Sequence, residues 1–95
     1  MKTLYLPVKG KYFEQIKSGE KQEEYRLYNE YWERRLVGRD YDDIVISLGY
    51  PPRDDSDKRI QRPYLGYEVK SIRHPEWNNE PRKVFAINLG TNPEF

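Results

Sequence analysis

The chain has 95 residues, with 17 Lys and Arg against 16 Asp and Glu and no cysteine. That length holds one domain with one modest core, and a net charge of +1 gives no global field for a polyanion, so any nucleic-acid contact has to be local. The lack of cysteine excludes disulfides, a thiol nucleophile and a cysteine-based zinc site, and a single histidine excludes the usual His clusters; no metal or cofactor is called for.

A charged fraction of 35% and a mean hydropathy of −1.09 pull toward disorder, but nine tyrosines, three phenylalanines and two tryptophans point to a folded domain with an aromatic-rich surface. Met1-Lys2-Thr3-Leu4 opens no apolar leader, and no run approaches the roughly 18 apolar residues of a membrane span. The expectation is a soluble, cytoplasmic protein without a membrane partner.

Residues 4–8, Leu-Tyr-Leu-Pro-Val, suit a first strand, with Pro7 at a sheet edge or bend because proline cannot donate to a ladder. Tyr12, Phe13 and Ile16 form a helical stripe over 11–18, and Gly19 is placed to take the left-handed conformation that ends a helix. Next comes the most informative stretch, Gly19-Glu20-Lys21-Gln22-Glu23-Glu24-Tyr25-Arg26. As a strand over 22–28, its period of two puts Glu24, Arg26 and Tyr28 on one face and Glu23, Tyr25 and Leu27 on the other, with Lys21 at the mouth. Lysine is a movable point charge and arginine a planar fork of donors, so this cluster can hold an anionic or polar ligand. It equally reads as a structural Glu–Arg pair or a solvated face.

Asn29 is placed to cap a second helix with Glu30 and Glu33 in its first turns, Arg34 and Arg35 in its last, and Gly38 closing it. Trp32 on that helix is a core anchor or a stacking platform. Residues 42–48, containing Ile44-Val45-Ile46, read as the best strand and a central one. Residues 53–63 read as a polar connection without periodicity. Its acidic run lacks the glycine and distal glutamate of a calcium loop, and Lys58, Arg59 and Arg62 form a small basic patch. Residues 64–72 alternate, with Leu65, Tyr67 and Val69 inward and Glu68 and Lys70 outward or toward a barrel mouth. In the loop 73–81, Trp77 among Arg73, His74, Asn78 and Asn79 could stack on a base or lid the fold, and His74 is a loop residue or a general base. Residues 83–89 form a last strand with Phe85, Ile87 and Leu89 inward, and 90–95 a tail. The tally is five strands and two short helices, a small mixed, β-rich α+β arrangement.

The spacing Gly19-x-Lys21-x-x-Glu24-x-Arg26, following Val8-Lys9 and a helix with Tyr12-Phe13 and Ile16, resembles the signature of the ASCH domains, a branch of the PUA-like superfamily. The resemblance runs from Leu4 to about Leu89 and implies one domain over 1–95 with a small PUA-like mixed β-barrel. It also implies recognition of single-stranded RNA or a nucleotide. Lys9, Lys21, Glu24, Arg26, Arg53 and Trp77 are then the candidate ligand contacts, with lysine and arginine meeting phosphate or base carbonyls and aromatics stacking. Some branches of the family are RNA or modified-nucleoside hydrolases, in one of which a lysine at the position of Lys21 works beside a threonine. This chain departs from that pattern, with Glu24 where the branch has its hydroxyl nucleophile. A hydrolase here would use Lys21 and Glu24 as acid or base, with Glu68 assisting. A third reading is a protein-interaction module whose exposed tyrosines bind a partner.

Overall fold

The parallel pairing of the first and third strands sets the architecture. In a computed structural model, which describes residues 2–52 and 55–90, β1 (Thr3–Val8) runs beside β3 (Asp43–Leu48) in register Leu4↔Ile44 and Leu6↔Ile46. Parallel neighbours need a long crossover. Here it contains α1 (Gly10–Ser18), β2 (Glu23–Leu27) and α2 (Glu30–Leu36). β4 (Arg59–Pro63) adds antiparallel to β3, giving the order β1-β3-β4. A second sheet, β2-β6-β5, is wholly antiparallel, with β6 (Arg82–Asn88) between β2 and β5 (Tyr67–Ile72).

One core joins the two sheets. Leu4, Leu6 and Val8 of β1 and Ile44 and Ile46 of β3 face Phe85 and Ile87 of β6, with Phe13 and Ile16 of α1 and Leu36 of α2 completing it. α1 is two turns long and would be marginal alone, so burial of its apolar stripe holds it. Gly19 ends it as expected, at φ 86°, with its N–H bonded to the Ile16 carbonyl at 3.1 Å. An L side chain there meets the left-handed penalty, so Gly19→Ala is expected to cost about 1 kcal/mol in urea unfolding. Asn29 caps α2 through its side-chain oxygen, which accepts from the Trp32 N–H at 3.0 Å.

Three expectations need correction. There are six strands among the described residues, not five, because 59–63 pair with β3 instead of forming a loop. Ile60 opposite Ile46 is the only apolar residue in that strand, and an edge strand rich in charge carries little periodicity. Second, the sheets do not close into a barrel; they remain two three-stranded layers. Third, Leu65 and Val69 are exposed and only Tyr67 of that trio packs on the core, because Leu65 precedes β5 and β5 is an edge of an open sheet. The expectations that β3 is central and that Pro7 lies in an edge strand agree with the observed order. No helix among the described residues is long and apolar enough to cross a membrane.

Candidate functional site

Where the barrel would close between β1 and β2, a guanidinium bridges the gap. Arg26 donates from Nη2 to the Pro7 carbonyl of β1 at 2.8 Å and from Nη1 to the Tyr25 carbonyl at 3.0 Å. Its Nη1 also lies 3.3 Å from Glu24 Oε2. Glu24 faces the core side of β2, opposite Ile87, and its side chain is only 7% exposed. Such a carboxylate has to be paired. It is held by Arg26, by the Tyr25 N–H at 3.0 Å on Oε1, and by Lys21, whose Nζ lies 3.6 Å from the same oxygen.

The turn after α1 delivers Lys21: its backbone N–H donates to the Gln15 carbonyl at 2.9 Å, which fixes where the side chain departs. The ammonium stands 5.2 Å from the Tyr12 ring centroid and 4.6 Å from that of Tyr25, in cation–π range of both. The side chain is 15% exposed, yet among the described residues it makes no hydrogen bond of ordinary length. Three N–H donors are thus gathered by two aromatic faces and one carboxylate and left without a close acceptor.

They face a cavity of about 640 Å³. Tyr25 and Trp32 flank its Lys21–Arg26 floor, and the Arg26 guanidinium stacks 5.3 Å from the Trp32 ring. Trp32 also packs against the core, as its reading as a core anchor expects. At the rim, the Arg35 guanidinium carbon lies over Tyr31, 3.5 Å from the ring centroid, and has no carboxylate partner among the described residues, while Tyr50 is 91% exposed.

The opposite wall comes from the loop before β6, where a short 3-10 turn, Pro75–Trp77, brings His74, Glu76 and Trp77 to the cavity. His74 Nδ1 accepts from the Glu76 N–H at 3.1 Å, so in the neutral ring Nε2 carries the proton and faces the Tyr12 hydroxyl at 3.2 Å. Lys9 at the start of α1 donates to Glu76 Oε1 at 2.8 Å. That bond holds the Glu76 carboxyl below its usual range and the Lys9 ammonium above its own. Burial, with Glu76 nearby, raises the Tyr12 hydroxyl.

Of the expected site residues, the structure brings Lys9, Lys21, Glu24, Arg26 and Trp77 to one cavity, and Arg53 lies outside the described residues. Arg26 is largely consumed by backbone carbonyls and Glu24, so it organises the floor more than it offers donors. Glu68 lies elsewhere. With no barrel mouth to point into, its 76%-exposed side chain sits on the outer face of β5, 3.9 Å from Lys70, which bonds Glu23 at 2.8 Å. The basic patch is likewise spent in part on structure: Arg59 donates to the carbonyls of Pro51 and Pro52 at 3.0 and 2.7 Å. Tyr12, His74 and Glu76 join the wall. The chemistry of His74 is visible in the sequence, but nothing in the spacing joins 74–77 to Lys9 and Tyr12.

Three carboxyls outside the floor contribute to the acid limit of the fold. Glu23 is lowered by its bond from Lys70, Asp43 by those from Thr3 and Gln61, and Glu76 by that from Lys9. A depressed carboxyl stabilises the fold fully above its unfolded value, near 4, and the contribution disappears as pH falls through the folded value. The melting temperature is therefore expected to change little from about pH 7 to about 5 on account of these groups and to fall below about 4. Calorimetry of Glu23→Gln and Asp43→Asn should show a shallower acid limb.

The fold and site together define an open, two-sheet α+β domain with an aromatic-walled cationic cleft at the unclosed seam. No protein-family model matches the chain, and no curated protein and no solved structure is significantly similar to it.

Proposed function

We propose that this domain binds single-stranded RNA or a nucleotide in the seam cleft, acting in the cytoplasm as an ASCH-like, PUA-like recognition module. The observation that carries the reading is Lys21, whose ammonium approaches Glu24 only to 3.6 Å and lines a cavity walled by Tyr25, Trp32 and Trp77. A nucleotide offers what that arrangement lacks, a flat π-face for the aromatics and anionic or carbonyl oxygens for the ammonium. The cations lining the cleft are Lys9, Lys21, Arg26 and Arg35 and the anions Glu24 and Glu76, so the balance favours an anion. Duplex DNA fits poorly, because a base inside a duplex does not offer its face to these rings.

A second reading, hydrolysis of RNA or a modified nucleoside, draws on the 3.6 Å approach of Lys21 to Glu24, a donor and an acceptor side by side on the cavity floor. Both readings are tested by incubating the pure protein with short single-stranded RNAs and acylated nucleosides and following binding and product together. Salt-sensitive binding without product supports recognition, and turnover lost in a folded Lys21→Ala variant supports the enzyme. Neither binding nor product sinks both.

A further inference from the structure

The seam cavity is not the only space that Lys21 reaches. A second cleft of about 710 Å³ lies beside the first, and the two share four lining residues, Tyr12, Lys21, Tyr25 and His74. These side chains form a saddle with a recess on each side. One mononucleotide accounts for the aromatic recess and leaves the second without an occupant.

The second recess differs in chemistry. Gln15 and Gln22 line it, and their side-chain amides both donate and accept and so can pair with a base edge or a ribose hydroxyl. Glu20 and Glu23 also line it beside Lys11 and Lys21, so its lining charges balance and it holds no surplus of positive charge for a phosphate, and Glu23 is already bonded to Lys70 at 2.8 Å. A phosphate is better placed on the saddle, where the Lys21 donors lack a close acceptor. Glu24, 3.6 Å from that ammonium, favours a singly charged phosphodiester over a doubly charged terminal phosphate.

We infer that the site takes a chain of at least two linked ribonucleotides, one base in the aromatic recess, the linking phosphodiester over Lys21, and the next nucleotide against Gln15 and Gln22. The inference rests on the nucleotide-binding reading above and narrows its ligand from a mononucleotide to a strand.

The test is calorimetric titration with the four nucleoside 5′-monophosphates and the four corresponding homodinucleoside monophosphates, on wild type and on a Gln15→Ala/Gln22→Ala variant whose fold is checked by circular dichroism. The best dinucleotide is expected to bind about tenfold or more tighter than its own mononucleotide, the scale of one added base contact. The double variant should lose that gain and keep the mononucleotide affinity. Equal affinity of the two ligand series, or a gain that survives in the double variant, overturns the two-recess inference while the nucleotide reading stands. Binding of neither series overturns the reading itself and the inference with it.

Discussion

Arg26→Ala is expected to destabilise the domain by about 3 kcal/mol or more, the scale for breaking a buried ion pair by removing one partner. The side chain is 18% exposed and makes three polar contacts, to Pro7 of β1, to the Tyr25 carbonyl and to Glu24. Its removal leaves Glu24 buried with only Lys21 at 3.6 Å and one backbone N–H, and cuts the tie across the seam. Arg26→Lys keeps the charge but cannot reach Pro7 and Glu24 as a planar fork, so it should restore only part of the loss. Adding Glu24→Gln to Arg26→Ala should recover stability, because the uncompensated charge is gone. Urea unfolding of the four proteins checks this, and a loss below about 1 kcal/mol for Arg26→Ala contradicts the bridging role.

Lys21→Met is expected to do the reverse, leaving stability within about 1 kcal/mol of wild type while weakening RNA binding about tenfold or more. The ammonium makes no short bond that the fold depends on, Glu24 keeps Arg26 and the Tyr25 N–H, and methionine fills the space between Tyr12 and Tyr25. A lost phosphate contact should also lower the salt dependence, by about 0.7 in the slope of log K against log salt for a single strand. Binding unchanged in affinity and slope places the ligand away from Lys21. The contrast between two cations five residues apart, one on each side of Glu24, separates the residue that builds the cleft from the one that uses it.

Much of this site could be read from the sequence because it is local. The glycine that ends α1, the lysine two residues on and the alternation of β2 place Lys21, Glu24 and Arg26 by elementary periodicity, and the observed register puts Glu24 and Arg26 opposite Ile87 and Phe85 as that alternation requires. What could not be read is long-range. Lys9 meets Glu76 across 67 residues, Arg26 meets the Pro7 carbonyl across 19, and no pattern in either segment announces the other. The open seam was illegible for a related reason: strand count and alternation are compatible with a closed barrel or two layers, and pairing of the edges decides. Glu68 was misplaced by that choice, since only a closed barrel has a mouth for it. β4 was hidden because its single apolar residue, Ile60, offers no alternation for a pattern to show.

The most direct test of the cleft uses the fact that the chain has two tryptophans and both line it. Their indole N–H resonances can be followed by two-dimensional NMR while a short single-stranded oligoribonucleotide is titrated into wild type and Lys21→Met. The account predicts that both the Trp32 and Trp77 indoles shift in wild type, and that the same shifts need about tenfold or more RNA in the variant. Binding of the RNA with neither indole shifted would contradict it.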